Sequence, residues 1–379
     1  MAVLYVCKES AEGERRVAAT PDSVRRLVGQ GLEVAVASGA GGHARFTDAA
    51  YEEAGARIHD GTGPPDDASI VARVAPPSPD EVGALPQGAT LLSFIAPHRN
   101  QDTVRALMEQ RITTLSMELV PRISRAQSMD ALSSQASIAG YRSVIVAAYH
   151  LDKHFPLFMT AAGTIRPANI VVLGAGVAGL QAVATAKRLG AVVYVSDIRE
   201  AAKQEVASLG GKFIDVPDAE DATGEGGYAK EVGEDFLTRQ RKVLTEHLAE
   251  AHAVITTAQI PGRPAPRLVT AEMVAAMQPG SVVIDLAAAD GGNCALTDVA
   301  GPTEHDGVRI LPGQHLPSDM AGEASALYAR NITSFCGLLL DDEGAFRIDL
   351  DDEVVAGALL TSNGEVTHEP TAKLLGGEA

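Results

Sequence analysis

One stretch of the sequence, residues 168–197, constrains the fold more than any other. It reads ANIVVLGAGVAGLQAVATAKRLGAVVYVSD: an apolar run, a glycine-rich turn, a helical pattern and a second apolar run. Gly174, Gly176 and Gly179 have the G-x-G-x-x-G spacing of a loop between a strand and a helix. Asp197 ends the second run, 197 − 179 = 18 residues after the last glycine. This combination predicts a strand, loop, helix and strand that bind a dinucleotide.

Each position of the loop has a physical task in that prediction. Gly174 would permit the tight turn, Gly176 would let a pyrophosphate approach the backbone, and Gly179 would let the helix pack on the strand. The N-terminus of the helix offers unpaired N–H groups and a partial positive charge to phosphates. The predicted phosphate-binding residues are therefore Gly174, Gly176, Val177, Ala178 and Gly179.

Asp197 and its two neighbours, Ile198 and Arg199, are predicted to bind the adenosine end of the cofactor. A carboxylate at Asp197 can accept both ribose hydroxyls of NAD and would repel the 2′-phosphate of NADP. Arg199 opposes this preference, because a nearby arginine can bind a 2′-phosphate. The sequence thus favours NAD(H), and Arg199 leaves NADP(H) open as an alternative.

Composition excludes several other classes of protein. The chain has 379 residues, 46% of them apolar, which is enough to fill two cores. Its net charge of −18 argues against nucleic acid and anionic membrane surfaces as partners. Three cysteines far apart in the sequence predict neither disulfides nor a zinc site, and we expect no metal. The start lacks a signal-peptide pattern, and the loop glycines break the uncharged stretch 167–186, so we expect a cytoplasmic chain without a membrane span.

Strand and helix patterns alternate along the rest of the chain. They predict an α/β fold of two doubly wound, Rossmann-like domains with parallel sheets, joined by long helices. Residues 1–126 and 320–379 would form the first domain, and residues 127–319 the NAD(H)-binding domain. A helix over 126–153 would lead from the first sheet to the second, and one over 320–340 would return the chain.

Two segments are predicted to lie outside these elements. Residues 76–86, PPSPDEVGALP, are rich in turn-forming residues and are expected to form a surface connection. Residues 218–235 are acidic and glycine-rich, and Tyr228 is the one aromatic residue in this segment. Such a composition cannot bury enough apolar surface to become ordered alone. The segment is either a surface loop or a lid whose Tyr228 closes over bound nucleotide.

Several longer motifs resemble those of one family. They are MELVPRISRAQSMDALS (117–133), GGYAKEVG (226–233), ITTAQIPGRPAP (255–266) and VVIDLAAADGGN (282–293). With the glycine loop, they resemble the NAD(H)-binding component of proton-translocating nicotinamide nucleotide transhydrogenase over nearly the whole chain. Alanine dehydrogenase is a relative of that component and shares the two-domain α/β architecture.

The resemblance implies a set of site residues. It places Arg122, Gln127, Asp130 and Ser133 around the nicotinamide. Arg122 and Asp130 are close enough in sequence to form an ion pair, and Gln127 and Ser133 can hydrogen-bond the carboxamide. Tyr228 matches the tyrosine of the family's mobile loop, and Ala258, in the third motif, is assigned to cofactor binding.

Departures from alanine dehydrogenase are as informative as the matches. Arg16 stands where that enzyme has an arginine for the substrate carboxylate. The resemblance puts Ala75 at the position of its substrate lysine and Ala96 at the position of its catalytic histidine. His98 lies two residues further on, and a shifted alignment would place it there instead. Oxidising an amino acid requires removal of a proton, whereas hydride transfer between two nicotinamides requires only that they be positioned.

The resemblance therefore implies a subunit that passes hydride from NADH to NADP⁺, with the NADP(H) bound on a partner. The family's reaction is stereospecific (Si/Re) and coupled to proton translocation by membrane-embedded subunits. It implies a homodimer that is peripheral on the cytoplasmic face of a membrane through those partners. Two alternatives stay open: an amino-acid dehydrogenase of the alanine dehydrogenase type, and an NAD-binding module without chemistry.

Overall fold

The computed structural model describes residues 2–217, 233–260, 262–341 and 343–376. The chain divides into two units, one of Met1–Gln135 with Pro317–Ala379 and one of Ala136–Leu316. Each unit has a β-sheet with associated helices and its own buried apolar clusters. Among the described residues, no helix is long and apolar enough to cross a membrane.

The regular elements of these residues are numbered in chain order. The strands are β1 (Val3–Val6), β2 (Glu33–Ala37), β3 (Arg57–His59), β4 (Ala68–Ala72), β5 (Thr90–Ser93), β6 (Thr113–Ser116), β7 (Phe158–Thr160), β8 (Gly163–Ile165), β9 (Asn169–Leu173), β10 (Val192–Ser196), β11 (Lys212–Phe213), β12 (Ala253–Thr256), β13 (Val282–Asp285), β14 (Thr303–His305), β15 (Val308–Pro312), β16 (Leu359–Ser362) and β17 (Glu365–Val366). The α-helices are α1 (Pro21–Gly29), α2 (Asp48–Glu53), α3 (Pro79–Gly83), α4 (Gln101–Glu109), α5 (Ala131–His150), α6 (Val177–Arg188), α7 (Ala201–Ser208), α8 (Glu234–Ala249), α9 (Ala271–Ala275), α10 (Ala321–Cys336), α11 (Glu353–Ala358) and α12 (Glu369–Gly376).

The first unit contains a sheet in the order β3-β2-β1-β4-β5-β6-β16-β17. The first six of these strands pair in parallel, and β16 and β17 add an antiparallel edge. The order 3-2-1-4-5-6 is that of a doubly wound sheet, in which the chain reverses direction across the sheet between β1 and β4. Polar groups at the carboxyl ends of β1 and β4 therefore lie next to each other.

The second unit repeats this arrangement around the glycine loop. Its sheet has the order β11-β10-β9-β12-β13-β15-β14, parallel except for β14. Ile170–Leu173 of β9 is fully buried, as expected for a central strand covered by helices on both faces. The predicted α/β fold with two Rossmann-like, mainly parallel sheets is confirmed.

Local sequence signals explain several element boundaries. Thr20 caps α1 with a capping box shared with Ser23, and Pro21 occupies the first turn. Asn363 and Gly364 both have positive φ, 53° and 87°, as a two-residue hairpin turn between β16 and β17 requires.

Two predicted segments differ in detail from the structure. The helix expected over 126–153 is split: Ser124–Met129 forms a 3₁₀ helix, and α5 begins after Asp130. The Asp130 carboxylate accepts a hydrogen bond from the Ser133 N–H, which starts a new helix there. The connection expected at 76–86 contains α3, which Ser78 begins with a capping box.

The three cysteines, Cys7, Cys294 and Cys336, are all buried and form no disulfide. Burial raises the pKa of both Cys7 and Cys336 to about 12. It also raises the pKa of Cys294. All three therefore stay protonated at neutral pH and pack as small apolar side chains.

Candidate functional site

The glycine loop leaves β9 at Gly174 and enters α6 at Val177. Gly174 has a φ of +100°, a conformation that side chains with a Cβ rarely adopt. A Cβ added there would lie 2.6 Å from Oγ1 of Thr257, which donates to the Gly174 carbonyl at 3.1 Å. A Cβ on Gly179 would collide with the same carbonyl. These two glycines thus make the turn and the helix packing possible.

Gly176 has a different environment. It is exposed, precedes the first residue of α6, and an added Cβ would have no protein atom within 4 Å. The first N–H groups of a helix have no partners within the helix, and its dipole places partial positive charge at the same point. Open space, backbone donors and positive potential together fit the pyrophosphate of a dinucleotide.

Asp197 follows β10 and is 7% exposed at its side chain. Its Oδ2 accepts hydrogen bonds from the Ala175 N–H at 2.7 Å and from Nη2 of Arg199 at 2.7 Å. Its Oδ1 accepts from the backbone N–H and Nε of Arg199, at 2.9 and 2.8 Å. Burial alone would raise the pKa of this carboxyl, but these bonds outweigh it and the pKa lies below its usual value. Asp197 is therefore ionised at neutral pH.

A shallow pocket opens beside this carboxylate, between the ends of β10 and β11. Its lining residues are Asp197, Ile198, Arg199, Glu200, Lys203, Phe213, Ile214, Asp215, Val216 and Phe236. Nζ of Lys203 is 3.2 Å from Glu200 and 2.9 Å from Asp215. Apolar walls with a carboxylate at one end suit an adenosine group.

The carboxyl ends of β12 and β13 are held together by Asn293, which is fully buried. Oδ1 of Asn293 accepts from the Ala258 N–H at 3.0 Å, and its Nδ2 donates to the Ala258 carbonyl at 2.8 Å. Ala258 was predicted to contact the cofactor. Because Asn293 occupies both backbone groups of Ala258, we expect any such contact to come from its methyl group.

Asp285, the last residue of β13, fixes the loop that carries Asn293. This fully buried carboxylate accepts four hydrogen bonds, from the hydroxyls of Thr256 (2.9 Å) and Thr297 (2.7 Å) and from the N–H groups of Ala287 and Cys294 (3.0 Å each). Neither Asp285 nor Asn293 was predicted as a site residue. A signal existed: Asp285 interrupts the apolar run that starts at β13, and Asn293 follows the glycine pair at the end of the same motif.

In the first unit, the structure joins two of the four residues predicted around the nicotinamide. Oγ of Ser133 donates to Oδ2 of Asp130 at 2.6 Å, and the Ser133 N–H donates to Oδ1 at 2.8 Å. Ser133 thus holds the Asp130 carboxylate through both of its oxygens. Arg122 and Gln127 are exposed on the segment just before α5.

Asn331 of α10 forms hydrogen bonds with this segment on both sides of Asp130. Its Nδ2 donates to the carbonyl of Ser128 at 2.9 Å, and its Oδ1 accepts from Oγ of Ser134 at 2.7 Å. The segment is therefore braced on both sides of Asp130. Tyr228, the remaining predicted residue, lies outside the described residues.

Two alanines lie at the carboxyl edge of the first sheet, at the positions expected for an amino-acid dehydrogenase's lysine and histidine. Ala75 is buried, and Ala96 has a φ of +46°, which is unusual for a residue with a Cβ. Glu118 accepts hydrogen bonds from the N–H groups of Ile95 and Ala96 and so holds this turn. Neither alanine can transfer a proton.

Arg16, at the same edge, forms an ion pair with the carboxylate of Glu14. Glu14 accepts from Nε of Arg16 at 2.8 Å and from Nη2 at 2.5 Å, and it also accepts from the Ser318 hydroxyl at 2.7 Å. Both side chains of the pair are mostly buried, 14% and 8% exposed. Burial of Glu14 is outweighed by its bonds to Arg16, which lower its pKa to about 2.

We expect Glu14→Gln to lower the free energy of unfolding by an amount that depends on pH. The pKa of Glu14 is lower in the folded chain, so its contribution is present above about pH 4.5 and is lost as pH falls towards 2. Its size is on the order of 3 kcal/mol, from the fall in the pKa of Glu14 from 4.5 to about 2. Urea unfolding should show the widest gap between wild type and variant near neutral pH. The exposed Glu12→Gln should show no such gap, and an equal gap at all pH values would contradict the assignment.

Two family descriptions match the chain. Residues 5–139 match the N-terminal domain of the alanine dehydrogenase/PNT family, and residues 143–369 match the C-terminal domain of the same family. Together they account for both sheets described above.

Individual relatives match over nearly the full length. The first portion of NAD(P) transhydrogenase subunit alpha, a protein of Rhodospirillum rubrum, is 47% identical over 374 residues, which are 96% of this chain and 97% of that protein. The alanine dehydrogenase of Bacillus subtilis strain 168 is 28% identical over 386 residues, 99% of this chain and 95% of that protein.

Solved structures give the same ranking. The transhydrogenase from Sinorhizobium meliloti has a TM-score of 0.83 and 43% identity, covering 97% of this chain and 99% of that chain. An L-alanine dehydrogenase has a TM-score of 0.79 and 25% identity, covering 98% of each. The chain belongs to the alanine dehydrogenase/PNT family, and within it the chain is more similar to the transhydrogenase alpha subunits than to these alanine dehydrogenases.

Proposed function

We propose that this chain binds NAD(H) and passes a hydride from NADH to NADP⁺ held on a partner subunit of a proton-translocating transhydrogenase. One observation carries the proposal: alanines, Ala75 and Ala96, lie at the positions where we expect the lysine and histidine of an amino-acid dehydrogenase, in a chain whose dinucleotide loop is intact. Hydride transfer between two nicotinamides moves no proton at the reacting carbons. A site with alanines at those two positions therefore suits it.

The residues of the second unit would bind and orient the cofactor. Bound NADH supplies the hydride from its nicotinamide ring. The backbone at Gly176 and the start of α6 would hold the pyrophosphate, with Val177 and Ala178 as the first N–H donors. Asp197 would accept hydrogen bonds from the adenosine ribose, with Ile198 against the adenine.

The segment before α5 would set the orientation of the nicotinamide. The Ser133 hydroxyl proton is committed to Asp130, so the Ser133 oxygen is left to accept from the carboxamide NH₂. Arg122 and Gln127 would complete the contacts from the same exposed segment. Tyr228 would close over the nucleotide, and Ala258 would contact it through its methyl group. A fixed carboxamide determines which face of the ring is presented, hence the stereospecificity (Si/Re) that we propose.

Partners follow from the same proposal. The NADP(H) site and the proton pathway would belong to other subunits, one of them embedded in a membrane. The chain would then be peripheral on the cytoplasmic side. The acidic net charge of −18 fits docking to proteins rather than direct contact with anionic lipid.

The test mixes the purified chain with an NADP(H)-binding transhydrogenase domain and follows reduction of a thio-NADP⁺ analogue by NADH. We expect transfer only when both are present. The same chain alone, with NADH, pyruvate and ammonia, should show no oxidation, and oxidation there would favour the amino-acid dehydrogenase. NADH binding without transfer to a competent partner domain would indicate a binding module and would falsify the proposal.

We further propose that the chain is a homodimer that pairs through the hairpin β7–β8. All six strand residues of this hairpin are exposed, and Leu157, Phe158, Met159 and Ile165 are 55%, 42%, 77% and 39% exposed. A two-stranded hairpin is marginally stable alone, so an apolar one needs a covering surface. A second copy of the chain supplies an identical apolar hairpin.

Met159→Asp is expected to shift the dimer towards monomer, because it places a charge in a contact that excludes water. Light scattering of the eluting protein at micromolar concentration measures the mass directly. Val299→Asp is the matched control: Val299 is also apolar and 56% exposed in the second unit, and this change should leave the dimer intact. A wild-type monomer, or an M159D dimer as stable as wild type, would contradict the proposal.

A further inference from the structure

We propose that the pocket after β10 selects NAD(H) over NADP(H) through Arg199. Its guanidinium donates hydrogen bonds to the Asp197 carboxylate, and these bonds must break before a ribose can bind there. The inference rests on the proposed function only in assigning the adenosine half of the cofactor to this pocket. It makes Arg199 a residue that favours NAD(H), the opposite of the role that its proximity to Asp197 in the sequence suggests.

Counting acceptors shows why Arg199 has to move. An ionised carboxylate has about four lone-pair sites for hydrogen bonds. Arg199 fills three of those of Asp197 and the Ala175 N–H fills the fourth. Both hydroxyls of a ribose can therefore reach Asp197 only by replacing bonds from the Arg199 side chain.

The charges around the pocket also disfavour a second phosphate. Three carboxylates line it (Asp197, Glu200 and Asp215) against two cations (Arg199 and Lys203), a balance of −1. Both cations already have carboxylate partners: Arg199 is 2.7 Å from Asp197, and Lys203 is 2.9 Å from Asp215. Lys203 is 40% exposed and its pairs are weak, whereas the Asp197–Arg199 pair is mostly buried.

The two cofactors differ in what they can give to Asp197. A ribose hydroxyl donates a hydrogen bond to the carboxylate and so replaces the bond that Arg199 gives up. A 2′-phosphate is negatively charged and offers no hydrogen-bond donor at that position. It could be bound only by turning Arg199 towards it, which would leave a buried carboxylate without its cation. The pair therefore favours the ligand that keeps Asp197 hydrogen-bonded.

Equilibrium binding of NADH and NADPH to the full chain tests this without any partner subunit. Asp197→Asn keeps the shape and an acceptor for Ala175 but releases Arg199. We expect D197N to bind NADH about tenfold more weakly and NADPH about tenfold more tightly. The double variant D197N/R199A should lose the gain for NADPH. A gain that survives in the double variant, or no gain in D197N, would overturn the proposal.

Glu205→Gln is the matched control, because Glu205 is exposed outside the lining of the pocket but its charge acts on Arg199, and its removal leaves Arg199 and Lys203 paired. We expect it to change NADPH affinity by less than about threefold, as the loss of an exposed charge does. If E205Q gains as much as D197N, net charge alone explains selectivity and Arg199 has no special role.

A second measurement uses uncharged probes, so that the change in charge does not obscure the result. In Arg199→Ala the ribose no longer competes with a guanidinium for Asp197. Adenosine should then bind several-fold more tightly than to wild type, and 2′-deoxyadenosine should gain less. An equal gain in affinity for adenosine and 2′-deoxyadenosine would show that Arg199 does not compete with the ribose hydroxyls for Asp197. Because these assays measure binding only, a failure of hydride transfer would leave their outcome intact.

Discussion

Gly176→Ala is expected to fold normally and to bind NADH about 100-fold more weakly, a loss on the order of 3 kcal/mol. The added methyl group meets no protein atom within 4 Å, so the fold has no reason to change. It projects instead into the space where a pyrophosphate would lie against the start of α6. Titration of NADH fluorescence gives the affinity, and thermal unfolding checks the fold.

Gly179→Ala, three residues away, is the control that should destabilise the fold, unlike Gly176→Ala. Its methyl group would collide with the Gly174 carbonyl, which is backbone and cannot turn aside. We expect a loss of about 1–3 kcal/mol in the free energy of unfolding, as in other overpacked sites. If G176A destabilises the fold as much as G179A, or keeps wild-type affinity, then Gly176 does not face the phosphates.

The second large effect is expected for Asp285→Ala. It removes the acceptor of four buried hydrogen bonds and leaves two N–H groups and two hydroxyls to find other partners. We expect the free energy of unfolding of the second unit to fall by about 3–5 kcal/mol. The loop that carries Asn293 should loosen as well, and NADH affinity should fall with it.

Thr297→Val is the graded control for this position. It removes one of the four bonds, through a change of similar shape, and should cost about 1 kcal/mol. Asp285→Asn should fall between the two, because it keeps an acceptor for Thr256 and Ala287. Urea unfolding of the three variants in one buffer gives the series, and a D285A variant within about 1 kcal/mol of wild type would refute this role.

The parts of the fold that local patterns determine could be predicted from the sequence. Buried β9 is a nearly continuous apolar run, and Gly174 and Gly179 are required by backbone conformation or by close contact within a few residues. The same holds for the capped start of α1. Such features depend on neighbours in sequence, so a single chain contains the information.

Contacts between distant residues could not be predicted in this way. Asn293 binds the backbone of Ala258 from 35 positions away, and no local pattern marks the pair. The helical periodicity over 126–153 hid the break at Asp130, because capping by one side chain does not disturb the apolar pattern around it. The outward-facing apolar residues of β7 and β8 contradict the usual alternation.

The pairing of Asp197 with Arg199 shows a further limit. Both residues were identified from the sequence, but their relation depends on the side-chain conformation of Arg199. From sequence, Arg199 was expected to oppose a preference for NAD(H). Its bidentate contact with Asp197 is the basis for proposing that it supports that preference instead.

The buried cysteines make the chain convenient for chemical labelling. Thiol reagents attack the thiolate, and Cys7, Cys294 and Cys336 are both inaccessible and protonated. A cysteine introduced at Val299, which is exposed and outside the proposed dimer contact, should therefore react selectively in the otherwise native sequence. Spin labels attached there would report directly on the distance between the second units of two copies, with no need to remove the native thiols first.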